Sequence, residues 1–214
     1  MENTKEIYNK IYKNFYNKDD LNQKFKKDLL NIAKALTNAN DLINLIDFIT
    51  KKTSDKNNFK EILLNNKIKI ADVEFNSKPL LSILIRSFFT YICEVIDFLL
   101  CAISHYCKLE LDDEKICKKK VIENLTNSSL IEIINNFYRK DYIEYFIDYN
   151  NYNKHISLVN DYISITELFD NNLEIAINGF IKNGNRYGTK NFSEIVKCFP
   201  CFIDEIVKIL KYLK

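Results

Sequence analysis

Hydrophobic residues are most concentrated between positions 79 and 107. This stretch contains no glycine, and its one proline, Pro79, stands at the start, where a missing backbone N–H removes no helical hydrogen bond. At about 100° per residue, its apolar side chains cover most of a helix circumference. We therefore predict a long, buried central helix over about 79–107, with the other helices packed around it.

The polar side chains of this helix collect within about a quarter of its circumference. They form what we call the polar track: Arg86, Thr90, Glu94, Asp97, Cys101 and Ser104. Two interpretations are open. The track is either a stripe that faces solvent or an internal cluster in which Asp97 or Glu94 holds Arg86, because a buried charge needs a partner. The chain has only three arginines, and a scarce arginine suits a fixed contact better than an exposed face.

Most of the remaining chain also repeats apolar residues at helical spacing. The segments with this pattern are 4–18, 21–36, 42–51, 59–64, 113–124, 130–149 and 192–213. Asn38 to Asn40 are poor helix formers and are predicted to separate two of these helices. The pattern predicts a mainly α-helical bundle that forms a single domain, 1–214.

A different pattern appears after His155. Residues 162–166 and 173–177 alternate between apolar and polar positions, as half-buried strands do. Asn183-Gly184 is a strong signal for a two-residue hairpin. We predict a small β element of two or three strands within 158–190, and leave a helix over 170–182 as an alternative. Residues 68–75 are ambiguous and also compatible with extended structure.

Composition narrows the class of protein. The chain of 214 residues has 47% hydrophobic and 28% charged residues and a formal net charge of +2, with three glycines and two prolines. So few turn-forming residues favour helices, and the small net charge provides no general basic field for duplex nucleic acid. A membrane span over 79–107 would bury Arg86, Glu94 and Asp97 at about 3 kcal/mol each. We expect a cytoplasmic protein that does not enter membranes, with six reduced cysteines.

Two short groups of residues have the chemistry of a metal or redox site. Cys198 and Cys201 form a CxxC pair, and together with His105 and Cys107 they match zinc in ligand type and number. No strand–helix pattern of a dithiol oxidoreductase surrounds the pair, so we expect free thiols and neither a metal nor another cofactor. The basic run 118–120 is more typical of a solvated helix face than of a nucleic-acid site.

The segment that ends at His155 resembles the Arg-Asn-x-x-x-x-His signature of the HEPN superfamily of small helical domains. Asn150 matches the family asparagine and His155 the family histidine, whereas Tyr149 stands where the family has arginine. The segment also resembles bacterial proteins with an Asn-x-x-Lys-His stretch before a short β segment. Many HEPN proteins are metal-independent ribonucleases of defence or toxin–antitoxin systems, in which the arginine and histidine act together across a dimer. The resemblance therefore implies RNA as a ligand and a homodimer.

Cleavage of RNA by its own 2′-hydroxyl requires a base that titrates near neutral pH and a cation at the phosphate. His155 is the candidate base, Lys154 or Arg86 the candidate cation, and Asn150 completes the predicted site. Replacement of the motif arginine by Tyr149 makes catalysis doubtful. We therefore expect a HEPN-like, RNA-associated protein. The alternative is a non-enzymatic helical module that binds a protein partner through an exposed aromatic surface at 179–188.

Overall fold

A long helix in the middle of the chain carries the core, as the sequence predicts. The computed structural model describes residues 4–13, 15, 22–52, 67–70, 73–155, 163–167, 173–182 and 184–213. The central helix spans Ser77–Tyr106, and residues such as Ile85, Phe88 and Ile92 on it are fully buried. The fold is mainly α-helical with a small antiparallel β element. Among the described residues, no helix has both the length and the apolarity that a membrane crossing requires.

The N-terminal half contains a helix that is longer than predicted. The first helix, α1 (Thr4–Tyr8), continues as a π-helical turn, Asn9–Lys13. The next, α2 (Gln23–Lys52), runs without a break through Asn38–Asn40, so the predicted division into two helices is wrong. Apolar residues on both sides of the asparagines keep the helical period and pack against the central helix. This packing outweighs the low helix propensity of asparagine, and Asn40 itself is buried.

A two-stranded hairpin leads into the central helix. Strand β1 (Lys67–Ile70) pairs antiparallel with β2 (Val73–Asn76). The central helix, α3 (Ser77–Tyr106), follows directly. Extended structure is thereby confirmed for 68–70 and 73–75, and the short helix predicted at 59–64 lies outside the described residues.

After α3 the chain forms a series of short helices. A 3-10 turn (Asp113–Lys115) precedes α4 (Lys118–Asn124) and α5 (Ser128–Tyr138). Helix α6 (Asp141–His155) follows, so the single helix predicted over 130–149 is divided near residue 139. The N-cap of α5 is Asn127, whose Oδ1 accepts a hydrogen bond from the Leu130 N–H at 3.1 Å.

The β element lies where the sequence places it but contains more strands than predicted. Strands β3 (Ile163–Glu167), β4 (Leu173–Ile177) and β7 (Lys190–Asn191) form an antiparallel sheet in the order β3-β4-β7. Between them, β5 (Phe180–Lys182) pairs with β6 (Asn185–Tyr187). Gly184 has φ 85°, which confirms the predicted hairpin. The helical alternative for 170–182 is wrong where the structure describes that segment, 173–182.

Aromatic side chains join α3, α6 and the β5–β6 hairpin into one core. Phe89 on α3 lies 4.2 Å from the ring of Tyr149 on α6, and Tyr149 lies 5.6 Å from Phe180 on β5. The C-terminal helices α7 (Phe192–Lys197) and α8 (Phe199–Tyr212) add their apolar faces. Pro200 lies in the first turn of α8, where its missing N–H removes no helical hydrogen bond. This packing fixes the orientation of α6 relative to α3.

Candidate functional site

Part of the polar track faces α6 and is half-buried there. The Thr90 hydroxyl lies 3.1 Å from the Arg86 carbonyl oxygen and 3.3 Å from Asn150 Oδ1 on α6. The sulfur of Cys93, one turn further along α3, lies 3.8 Å from the Phe146 carbonyl oxygen. Asn150 is buried. The track therefore meets another helix over this part of α3 instead of forming a continuous stripe toward solvent.

A cleft lies between α3 and α6, beside the start of α4. We call it the α3–α6 cleft; it has a volume of about 200 Å³. Its apolar side includes Ile96, Leu100 and Ile147. Its polar side chains come from α3, α4, α5 and α6 and are Asp97, Lys118, Tyr138, Asn150, Asn151 and Lys154. Residues that are distant in the sequence thus line one concave surface, which is the usual form of a ligand site.

The two lysines of the cleft stand in different surroundings. Lys118 is partly buried, and its Nζ lies 4.4 Å from the centroid of the Tyr138 ring. Burial and the positive charge of the nearby Arg139 both lower the pKa of Lys118, because both disfavour a positive charge on its amine. Lys154 is exposed at the end of α6. An anion in the cleft would offset the loss of solvation at Lys118 and its repulsion from Arg139.

One carboxyl group and one thiol complete the electrostatics of the cleft. Burial raises the pKa of Asp97, and the positive charge of Lys154 acts in the opposite direction. Burial, with a smaller effect from Asp97, raises the pKa of the Cys93 thiol to about 12. Burial also raises the pKa of Tyr138. Cys93 and Tyr138 are therefore neutral near pH 7, and neither is an activated nucleophile.

The structure brings together only some of the predicted site residues. Asn150 and Lys154 line the α3–α6 cleft, whereas Arg86 does not. His155 is the last residue of α6, but its side chain is outside the described set. Arg86 and Asp97 are eleven residues apart on the continuous helix α3, which separates their Cα atoms by about 16 Å. The predicted pair of Arg86 with Asp97 is therefore wrong, and its pair with Glu94 stays a prediction.

Tyr149, at the position of the HEPN arginine, belongs to the core. Its side chain is 1% exposed and packs against Phe89 and Phe180. Its ring also stacks on that of Tyr145, with an interplanar angle of 13°. This position faces the interior of the molecule and does not line the cleft.

The four candidate metal ligands are not assembled into a site. Among the residues that the structure describes, no three His, Cys, Asp or Glu side chains are placed to hold a metal ion. Both ring nitrogens of His105 face carboxylates, at 2.6 Å from Asp28 Oδ2 and 3.1 Å from Asp113 Oδ1. Burial raises the pKa of Cys198, which is opposite to the shift of a reactive CxxC thiol.

The sequence does not predict the whole of this arrangement. The basic run 118–120 is typical of a solvated face, whereas Lys118 lines the cleft. Lys119 beside it is exposed and pairs with Glu123 at 3.8 Å. Tyr138 and Asn151 belong to no sequence pattern that would have identified them. The contacts of His105 join residues 28, 105 and 113 from three elements, and no spacing rule predicts such a group.

The comparisons with known proteins identify no relative, so the interpretation of the cleft rests on its geometry. Neither the protein-family models, nor the curated proteins, nor the solved structures include a match to this chain.

Proposed function

We propose that this chain is a HEPN-like protein that binds single-stranded RNA in the α3–α6 cleft. The observation that carries the proposal is that Lys118 and Lys154, from two different helices, line one cleft together with the amides of Asn150 and Asn151. Lysines bind RNA phosphates, and amides read the edges of unpaired bases. The resemblance of the 149–155 segment to the HEPN signature points to the same ligand.

The size of the cleft favours a single strand. A volume of about 200 Å³ matches the scale of a phosphate group or one base. Asp97 adds a hydrogen-bond acceptor, which suits the N–H groups of a base that is not paired.

The proposed activity is binding without cleavage. Tyr149 is buried in the aromatic core, so it supplies no cation at the position of the motif arginine. Cys93 and Tyr138 in the cleft are neutral near pH 7, because their pKa values are raised. A role in a defence or toxin–antitoxin system belongs to the same proposal. It predicts that expression slows bacterial growth and that RNA binding, rather than RNA degradation, accompanies the effect.

Fluorescence anisotropy with a labelled single-stranded RNA tests the proposal. The double variant Lys118→Gln/Lys154→Gln should bind more than about tenfold more weakly than the wild type, since two charge-assisted contacts are lost. Lys119→Gln/Lys120→Gln removes the same two positive charges from α4 outside the cleft and should stay within about twofold. A wild type that does not bind, or an equal loss in the Lys119/Lys120 variant, would contradict RNA binding at this cleft.

A protein-interaction module is the second candidate, and exposed aliphatic side chains favour it. Ile181 on β5 is 65% exposed and Ile83 on α3 is 59% exposed. The aromatic surface predicted at 179–188 is wrong, because Phe180 is buried and its ring stacks on Tyr187 at 4.5 Å. Sedimentation of the wild type and of Ile181→Glu tests a homodimer that uses the hairpin. A wild type that is monomeric at every concentration would eliminate this dimer.

A further inference from the structure

His105 connects three parts of the chain through the two nitrogens of its ring. Nδ1 lies 2.6 Å from Asp28 Oδ2 on α2, and Nε2 lies 3.1 Å from Asp113 Oδ1 on the 3-10 turn. A neutral imidazole has one N–H and can donate to only one of these carboxylates, whereas the imidazolium donates to both. The observed geometry therefore fits the protonated ring.

The charged groups around His105 come from the elements packed against it. Helix α2 supplies Asp28, with Lys27 close enough to affect it, and Lys24, whose Nζ lies 2.9 Å from Asp113 Oδ2. On α3 itself, Cys101 feels the charges of both carboxylates, and burial raises its pKa to about 11, so it is neutral near pH 7. His105 and Lys24 are thus the two cations that hold Asp113 in this part of the structure.

The turn that His105 holds leads directly into a wall of the α3–α6 cleft. Asp112 caps this turn, accepting a hydrogen bond from the Glu114 N–H at 3.3 Å, and its carbonyl oxygen accepts from the Lys115 N–H at 2.8 Å. Ile116, Cys117 and Lys118 follow at once and line the cleft. Fewer than five residues therefore separate Asp113 from Lys118.

We propose that His105 is a positioning residue of the cleft: its protonated ring holds Asp113 and thereby keeps Lys118 in place for an RNA phosphate. When the ring loses a proton, the N–H that remains stays with Asp28, which is nearer and more buried than Asp113. Nε2 then presents a lone pair to the Asp113 carboxylate, and of the two cations only Lys24 still holds Asp113. Anion affinity is therefore lower with a neutral His105 ring than with a protonated one. The identity of the ligand rests on the proposed function, but the link from His105 to the 107–118 segment does not.

Amide hydrogen exchange of residues 107–118 measures this link without RNA. It is recorded at about pH 6 and about pH 8 and corrected for intrinsic rates. In the wild type, protection should fall at least about fivefold between the two pH values. His105→Gln and Asp113→Asn should show low protection at both, and Asp113→Asn changes an exposed residue, so it should keep the fold. His155→Gln removes the other of the two histidines and should keep the wild-type response.

Anisotropy with single-stranded RNA at the same two pH values and constant ionic strength is the second measurement. Wild-type affinity should fall with pH in parallel with protection, and His105→Gln should bind weakly at both pH values. Unchanged protection in the wild type, or a wild-type response in folded His105→Gln, would overturn the positioning role while RNA binding stands. A response in exchange with no response in RNA affinity would overturn the link to the cleft. A response in exchange with no RNA binding at all would support the link and refute the proposed function.

Discussion

Nδ1 of His105 lies 2.6 Å from Oδ2 of Asp28, and this contact joins α3 to α2 where both side chains are almost buried. Loss of one partner from a buried charge pair leaves the other charge without compensation. His105→Ala should therefore lower the free energy of unfolding by about 3 kcal/mol near pH 7. Urea denaturation followed by circular dichroism measures the change.

The destabilisation caused by His105→Ala should also depend on pH. Burial raises the pKa of Asp28, so acidification lets this carboxyl take up a proton, and the penalty for losing His105 should shrink at low pH. Lys208→Ala, at an exposed position on α8, is the control and should have little effect. A His105→Ala penalty that is the same at neutral and acidic pH would show that Asp28 is not a carboxylate in the folded protein.

The effect of replacing Asp113 should also decline in acid. Lys24 and His105 lower its pKa below the ordinary value of 3.8, so Asp113 stabilises the folded state above that value. This contribution should decline as pH falls below 3.8 and vanish below the folded pKa of the group. The difference in unfolding free energy between wild type and Asp113→Asn should accordingly be largest near pH 6 and shrink in acid. A difference that grows in acid would be inconsistent with these contacts.

Restoring the motif arginine should not restore a site. Tyr149→Arg would place a charge among Phe89, Phe180 and Tyr145 with no room for water, and should cost more than about 3 kcal/mol or prevent folding. Tyr149→Phe keeps the ring and should cost about 1 kcal/mol. Thermal denaturation of both variants tests the placement. A stable Tyr149→Arg protein that cleaves RNA would refute it.

The glycines near the hairpin offer a graded test of the β element. A Cβ at Gly179 would lie 2.7 Å from the Tyr187 carbonyl oxygen, so Gly179→Ala should cost about 2 kcal/mol. Gly184 has open space but φ 85°, and alanine there should cost about 1 kcal/mol through backbone strain. Gly188→Ala meets neither obstacle and is the matched control. Melting temperatures in the order Gly188 variant, Gly184 variant, Gly179 variant, from highest to lowest, are expected.

The sequence pattern predicted those elements that are determined by residues close together in the chain. The long apolar run identified α3, and Asn183-Gly184 identified the hairpin, because turn chemistry acts within a few residues. The pattern gave wrong helix boundaries where tertiary packing determines them. Helix α2 continues through Asn40, which is buried beside α3, and the predicted helix 130–149 divides near residue 139. Neither outcome follows from propensity alone.

The sequence predicted only part of the site, because the site residues come from different helices. Asn150 and Lys154 are four residues apart on one helix, so a motif could select both of them. Lys118 lies on another helix, and its neighbours Lys119 and Lys120 made it resemble a solvated run. Only the fold distinguishes the lysine that faces the cleft from those beside it.

The salt dependence of RNA binding tests the central proposal most directly. Each phosphate contact on a single strand contributes about 0.7 to the slope of log affinity against log salt concentration. Lys118→Gln and Lys154→Gln should therefore each reduce the wild-type slope by about 0.7, whereas Lys119→Gln should leave it unchanged. Equal slopes for the wild type and all three variants would contradict phosphate binding in the α3–α6 cleft.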